Sequence, residues 1–169
     1  GEQAKQYDFA IAGSFYERLP EGGSSPVSHN KSINQSQKKC HNTMPLILPD
    51  GSIGGVYRKM HLFDAPARAD LSQSFCESSR IKAGDEIVVI DYMGVKIGLS
   101  ICMDLRFPEL YRSLSEQGAE LIINVAAWLA PRDDHWLALL EARSIENQAY
   151  VSGCGYYGTD PESNVSFVG

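Results

Sequence analysis

The chain has 169 residues, of which 43% are hydrophobic and 21% charged, and its formal net charge at pH 7 is −6. This length fits one globular core better than several domains. The acidic balance argues against nucleic acid and anionic lipid as partners, and no apolar run is long enough to span a bilayer. The cysteines at positions 40, 76, 102 and 154 form no C-x-x-C pair. We therefore expect free thiols, no zinc ribbon and a cytoplasmic protein.

The first part of the chain predicts strands interrupted by a polar loop. Small and apolar residues alternate in "YDFAIAGSFYE", which predicts a strand near Phe9 to Phe15. The segment from Glu21 to Lys39 is rich in Ser, Asn and Gly and predicts an exposed loop insertion at about residues 21–39. In "MPLILPDGSIGGVYRK" two apolar runs flank Pro-Asp-Gly, which predicts a β-hairpin that ends near Lys59.

The second part predicts strands and helices in alternation. "KAGDEIVVIDYMGVKIGLSICMD" contains two strand runs, and the second delivers Cys102 at its C-terminal end. "FPELYRSLSEQGAE" predicts a short helix, and "LIINVAAW" and "YVSGCGYYG" predict strands. "APRDDHWLALLEARSIENQAY" predicts a longer helix that Asp133 or Asp134 caps. Its expected packing face carries Ala138, Ala142, Ile145 and Ala149. The alternation predicts an α/β layered sandwich.

Cys102 has two interpretations on these observations. Free cysteines are usually buried, which alone favours Cys102 as a small side chain of the core. Its place at a strand end favours a pocket, where a nucleophilic thiol would need a base and an electrostatic partner. His61 or His135 could form a Cys–His pair with it. Lys59 could favour the thiolate and stabilise an oxyanion, or it could be a solvated surface residue.

Three motifs carry a family resemblance. "YRKMHLFD", "GLSICMDLRFPELYRSL" and "HWLALLEARSIENQAYV", in this order and at these separations, resemble the carbon–nitrogen hydrolase (nitrilase) superfamily. The resemblance implies a four-layer αββα sandwich and hydrolysis of a non-peptide C–N bond without a metal or an organic cofactor. It implies Cys102 as nucleophile and Lys59 as the lysine that stabilises the tetrahedral intermediate. It implies Glu77 as an additional glutamate that positions this lysine and contributes to the acid–base network. It also implies the Met103 backbone N–H as an oxyanion donor.

The resemblance also implies that residues 1–169 are a partial carbon–nitrogen hydrolase domain. The family's general-base glutamate is expected upstream of Gly1, since Glu2 does not follow a strand. Further strands are expected after Gly169, and a homo-oligomer is expected from the family. A nitrilase or an N-carbamoyl hydrolase would use the same residues. A truncated, non-catalytic homologue that acts as an interaction module is the alternative from another class.

The segments "AAWLAPRDDHW" and "ARSIENQAYVSGCGYYGTD" most resemble the ω-amidase branch, which deaminates small α-keto acid amides such as 2-oxoglutaramate. The expected partner is therefore a small amide. Ala126, Ala127 and Trp128 follow a strand next to that of the nucleophile and could form a pocket wall, or simply pack in the core. Arg106 could contact the substrate or hold the scaffold in an ion pair.

Overall fold

The computed structural model describes residues 1–18, 39–67 and 74–169. Its strands are β1 (Ile11–Ala12), β2 (Phe15–Arg18), β3 (Cys40–Ile47), β4 (Ile53–Arg58), β5 (Asp64–Ala65), β6 (Phe75–Cys76), β7 (Val89–Tyr92), β8 (Val95–Ile101), β9 (Leu121–Ala126), β10 (Trp128–Leu129), β11 (Tyr150–Gly155), β12 (Gly158–Thr159) and β13 (Ser166–Val168). Its α-helices are α1 (Glu2–Tyr7), α2 (Pro108–Glu116) and α3 (Asp133–Asn147). The loop predicted at 21–39 lies outside the described residues, apart from Lys39. No helix in the described ranges is long and apolar enough to cross a membrane.

The first sheet is built on the predicted hairpin. β3 and β4 pair antiparallel, with a register shift between Leu46 and Ile47. Gly51 in the connecting turn has a φ of 80°, which glycine adopts without steric strain. β1 and β2 pair with successive stretches of β3. The hairpin prediction is confirmed, and Lys59 follows β4 directly.

The second sheet carries the nucleophile candidate. Its strand order is β11-β9-β8-β7, in which β8, β9 and β11 are parallel and β7 is antiparallel to β8. The β7–β8 turn has positive φ at both Met93 and Gly94, as a tight hairpin turn requires. Residues 97–101 of β8 are all buried, which is the pattern of a strand covered on both faces.

The two sheets face each other across an apolar core, and α2 and α3 cover the outer face of the second sheet. Both helices pack on each other, and α3 packs on β11. The shared cluster draws on both sheets and on α2, through Met44, Leu46, Tyr57, Ile90, Leu99, Leu110, Leu114 and Ile122. This arrangement confirms the predicted α/β class.

Two strand predictions were too long. Phe9 is exposed and precedes the sheet, and residues 13 and 14 separate β1 from β2, so the run from Phe9 to Phe15 is not one strand. β9 ends at Ala126 and Trp128 starts the separate strand β10, which pairs with β13. Between Lys59 and β7, where no element was predicted, the short strands β5 and β6 pair with each other.

The predicted face of α3 was wrong. Ala138 is exposed and Ile145 is 76% exposed, whereas the buried side chains of α3 are Trp136, Arg143 and Asn147. The polar members are buried because each finds a partner. The Arg143 Nε donates to the Leu105 carbonyl, and the Asn147 amide donates to the Arg143 carbonyl.

The capping prediction for α3 was wrong as well. The N-cap is Arg132, and Asp133 and Asp134 lie within the first turn. Each of the two carboxylates accepts the backbone N–H of the residue that follows it. Their negative charges still suit the positive end of the helix dipole.

Candidate active site

Cys102 lies at the predicted end of β8, where the chain leaves the strand. It opens a 3₁₀ turn, Cys102–Arg106, and its φ is 49°. A residue with a side chain seldom adopts this left-handed conformation, and such strain clusters at functional sites. The thiol is half-buried, with its Sγ 4.0 Å from the Ala127 carbonyl oxygen.

Lys59 is buried at the end of the hairpin, with only 3% of its surface exposed. Its backbone is fixed on both sides, because its N–H donates to the Asn42 carbonyl and its carbonyl accepts the Gly84 N–H. Its Nζ lies 2.6 Å from Glu77 Oε2. A buried ammonium requires such a counter-charge, so the solvated-surface interpretation of Lys59 is wrong.

Glu77 follows β6 directly and begins a 3₁₀ turn. Besides the Lys59 ammonium, its Oε2 accepts the Phe63 N–H at 2.7 Å, and its own N–H donates to the Phe63 carbonyl. The carboxylate is therefore held from two directions. The geometry fits a group that orients Lys59.

One cleft of about 710 Å³ brings these side chains together. Cys102, Lys59 and Glu77 all line it, as do Ala126 and Ala127. A smaller recess shares Cys102 and Ala127 with the cleft and adds Met103, Arg106 and Trp128. Every residue expected at the site therefore lies at one of these two connected cavities.

Burial raises the pKa of the Cys102 thiol. The Lys59 ammonium and a hydrogen bond from the Met103 backbone N–H act against this rise, whereas the carboxylates of Glu77 and Asp104 add to it. The net effect favours the protonated thiol over the thiolate. An attack by its sulfur requires a base that removes this proton.

Trp128 serves as both pocket wall and core. It is 3% exposed, its indole N–H donates to the Arg132 carbonyl, and its ring lies 5.2 Å from that of Trp136. The Arg106 guanidinium lies 4.7 Å from the centroid of the Trp128 ring. Burial and the nearby charge of Arg132 lower the pKa of Arg106. The side chains of Arg106 and Arg132 both line the recess beside Cys102.

The two histidine alternatives receive no support. His61 directs its Nδ1 to Asp104 at 2.8 Å and stacks on Phe107, and the His135 Nδ1 lies 3.4 Å from Arg106. Neither imidazole belongs to the lining of the two cavities. Within residues 1–18, 39–67 and 74–169, no His, Cys, Asp or Glu side chains are grouped so that they could hold a metal ion.

Asp104 is the polar residue that the sequence interpretation missed. It lies two positions after Cys102, is completely buried, and accepts hydrogen bonds from Tyr57, His61 and Ile101. An acidic residue three positions after the end of a buried strand was the available signal, since a carboxylate that is buried there must find donors.

A family model described as carbon-nitrogen hydrolase matches residues 1–169. The chain is 39% identical over 140 residues to the deaminated glutathione amidase of Dictyostelium discoideum, covering 82% of this chain and 48% of that protein. It is 41% identical over 126 residues to the omega-amidase YafV of Escherichia coli K12, covering 75% and 44%. It spans about half the length of these curated relatives.

A solved structure shows the same fold. The NitFhit protein of C. elegans superposes with a TM-score of 0.78 at 31% identity, covering 98% of this chain and 37% of that one. Its shared architecture agrees with the facing sheets and the outer helices described above. The relatives include a deaminated glutathione amidase and an omega-amidase, and together with the family model they show that this chain belongs to the carbon–nitrogen hydrolase (nitrilase) family.

Proposed function

We propose that the protein hydrolyses a small linear amide to a carboxylic acid and ammonia, through a thioester on Cys102. The observation that carries this proposal is the buried Lys59–Glu77 ion pair, which lines the same cleft as a thiol on a strained turn. Two relatives are named deaminated glutathione amidase and omega-amidase, and these names support an amide as the substrate.

In the first half-reaction the Cys102 sulfur attacks the amide carbon while a base removes the thiol proton. The carbonyl oxygen becomes an oxyanion, to which the Lys59 ammonium and the Met103 N–H would donate hydrogen bonds. The C–N bond then breaks, the nitrogen takes the proton, and ammonia leaves. The acyl group remains on sulfur as a thioester.

In the second half-reaction water attacks the thioester carbon through a second oxyanion at the same position. The C–S bond breaks, the sulfur regains a proton, and the carboxylic acid leaves. The sum is R–CO–NH₂ plus water giving R–COOH plus ammonia. Every step uses proton transfer and nucleophilic attack, for which the thiol, the ammonium and a base suffice.

The base is the part of this scheme that we assign by resemblance. Glu77 already accepts hydrogen bonds from Lys59 and from the Phe63 N–H, which suits a positioning role better than proton removal from sulfur. We therefore assign proton removal to the general-base glutamate that the family resemblance implies.

The Arg106 guanidinium supports a substrate that also carries a carboxylate. Arg106 lies over the Trp128 ring and lines the same recess as Cys102 and Met103. A guanidinium there could pair with the far carboxylate of an ω-amide while the amide carbon meets the sulfur. Monoamides of dicarboxylic acids, such as 2-oxoglutaramate, fit this description.

The test measures ammonia release by the full-length protein and its Cys102→Ala variant. The panel pairs glutaramate and 2-oxoglutaramate with pentanamide, and includes a nitrile and an N-carbamoyl amino acid. We expect release from the amides and none from the variant. Turnover confined to the nitrile or the carbamoyl compound would replace the amidase assignment. No turnover of any compound would favour the interaction-module alternative.

Arg106→Met tests the substrate class separately. Removing the guanidinium should raise KM for glutaramate by about 10-fold or more, since a charged hydrogen bond contributes about 1.5–3 kcal/mol. KM for pentanamide should change little. Equal changes for both compounds would show that Arg106 does not select a carboxylate.

We also propose that the protein is a cytoplasmic homo-oligomer and that these 169 residues are part of its carbon–nitrogen hydrolase domain. Free thiols at all four cysteines fit a reducing compartment. Leu137 and Ile145 on α3 are 61% and 76% exposed, which fits a surface that meets a second copy. The mass in solution by sedimentation, compared with that of Ile145→Lys, tests the assembly.

A further inference from the structure

Asp104 is a completely buried carboxylate two residues after Cys102. Its Oδ2 accepts the Tyr57 hydroxyl at 2.7 Å and the Ile101 N–H at 2.9 Å. Its Oδ1 accepts the His61 N–H at 3.0 Å and the His61 Nδ1 at 2.8 Å. Four hydrogen-bond donors therefore surround this one carboxylate, and their hydrogen bonds offset the cost of burying its charge.

These donors come from both sheets. Tyr57 belongs to β4 of the first sheet and His61 lies two residues beyond Lys59, whereas Ile101 ends β8 of the second sheet and precedes Cys102. Asp104 therefore joins the segment that carries the lysine to the turn that carries the thiol. We call Asp104, Tyr57, His61 and Ile101 the Asp104 clamp.

Further contacts hold the clamp rigid. The His61 ring stacks on Phe107 with ring centres 3.7 Å apart and planes 12° apart, which fixes the direction of Nδ1. The Tyr57 hydroxyl also accepts the Met60 N–H at 3.3 Å, next to Lys59. The segment from Tyr57 to His61 is thus attached to Asp104 at both ends.

We propose that the Asp104 clamp is a positioning device that sets the separation of Lys59 Nζ from Cys102 Sγ and so controls the reactivity of the thiol. The lysine and the thiol belong to facing sheets, whose apolar contacts tolerate small displacements more readily than a set of directional hydrogen bonds does. The Ile101 bond in addition fixes the backbone directly before the strained φ of Cys102. The proposal rests on the proposed role of Lys59 and Cys102.

Tyr57→Phe is the principal test, because it removes one clamp bond and changes no charge. The matched control is Tyr111→Phe. Tyr111 is equally buried, and its hydroxyl bonds to Ser100 and Asn124 instead of Asp104. A loss of stability alone should therefore be similar in the two variants. A loss of positioning should occur only in Tyr57→Phe.

Two readouts on the full-length protein separate positioning from folding. The first is the pH dependence of Cys102 alkylation by iodoacetamide, with Cys102→Ala as blank. The second is kcat and KM for the best amide. Tyr57→Phe should move the alkylation profile to higher pH, because the displaced Lys59 favours the thiolate less. It should lower kcat by about 10-fold with KM within about threefold, since small misplacements cost mainly the chemical step.

A second pair of variants provides a rescue. His61→Ala removes the Nδ1 donor, and His61→Asn restores an amide donor at nearly the same place. We expect the alkylation profile and kcat to change in the first variant and to return most of the way in the second. Tyr111→Phe should retain both wild-type values.

The proposal is overturned if Tyr57→Phe and His61→Ala lose stability but keep the wild-type alkylation profile and kcat. Should Tyr57→Phe fail to fold, the histidine pair decides alone. Alkylation also separates this proposal from the proposed function. A shifted profile in a protein that hydrolyses no amide would retain the positioning role and remove the amidase.

Discussion

The Lys59 Nζ lies 2.6 Å from Glu77 Oε2, and this ion pair joins the end of the first-sheet hairpin to the turn after β6. The lysine side chain is 3% exposed and the glutamate side chain 15%. A pair this deeply buried is costly to assemble and very costly to break from one side, because the remaining charge has no partner and little water. Substituting either partner of this pair should therefore cost much more stability than substituting a partner of an exposed ion pair.

Glu77→Gln should destabilise the full-length protein by about 3–5 kcal/mol, the usual cost of leaving one charge of a buried pair uncompensated. Glutamine can still accept the Phe63 N–H, so the main loss is the charge opposite Lys59. Chemical unfolding monitored by circular dichroism measures the change. Amide turnover should fall as well, because Lys59 loses the group that orients it.

Glu17→Gln is the matched control for this change. Glu17 pairs with Arg58 at 2.7 Å, but the side chains are 31% and 42% exposed. A partly exposed pair contributes only about 0–1 kcal/mol to stability. Similar losses of stability in both variants would contradict the assignment of a special cost to the Lys59–Glu77 pair.

Alkylation of Cys102 should become faster as the pH rises above neutrality. Burial raises the pKa of this thiol, so a higher pH is needed to form the reactive thiolate than for an ordinary cysteine. Because the Lys59 ammonium opposes the rise, Lys59→Met should push the pKa higher still and slow alkylation at any given pH below it. Mass spectrometry of the Cys102 peptide measures the rate. An unchanged rate in Lys59→Met would show that the two groups do not interact.

The sequence was sufficient for the parts of the site that local signals define. Pro-Asp-Gly predicted the hairpin that presents Lys59, and the apolar run before Cys102 predicted a buried strand that ends at the thiol. Local patterns could not bring Lys59, Glu77 and Cys102 to one cleft, because that is decided by how the two sheets pack. Only the family resemblance implied their association.

Other features depend on tertiary partners that no local pattern reveals. The helical stripe with Ala138 and Ile145 suggested a packing face. Instead α3 buries Arg143 and Asn147, whose side-chain N–H groups donate to backbone carbonyls. Asp104 likewise can be buried because Tyr57 and His61, more than 40 residues away along the chain, donate hydrogen bonds to its carboxylate. Hydrophobic periodicity assumes that polar residues face water, and in this chain that assumption fails beside the site.

Acid should weaken the contact between β2 and β4. The hydrogen bond from Arg58 lowers the pKa of Glu17 from its ordinary 4.5 to about 2. The pair therefore contributes its full stability above about pH 4.5 and loses it as the pH falls towards 2. Screening at this partly exposed site limits the contribution to about 1 kcal/mol. Unfolding of the wild type and Glu17→Gln between pH 6 and 3 should converge as the pH falls, and a constant difference would contradict this pH dependence.

Gly84→Ala should lower activity by displacing Lys59. A Cβ atom at Gly84 would lie 2.3 Å from the Arg58 carbonyl oxygen, and a backbone atom cannot move aside by changing rotamer. The Gly84 N–H donates to the Lys59 carbonyl, next to Arg58. To make room for the Cβ atom, the backbone around residue 84 must move away from the backbone of Arg58 and Lys59. We expect overpacking to lower the free energy of unfolding by about 1–3 kcal/mol. Misplacement of the Lys59 ammonium should lower kcat by up to about 100-fold.

Gly13→Ala controls for the loss of a glycine, because a Cβ atom there meets nothing within 4 Å. This variant should unfold within about 0.5 kcal/mol of the wild type and keep its kcat, as an unhindered surface change does. Wild-type kcat in a folded Gly84→Ala protein would mean that turnover tolerates movement of the Lys59 backbone. That outcome would weaken the role proposed for Lys59 more directly than any loss of stability, because the lysine would then be displaced without consequence for the chemistry.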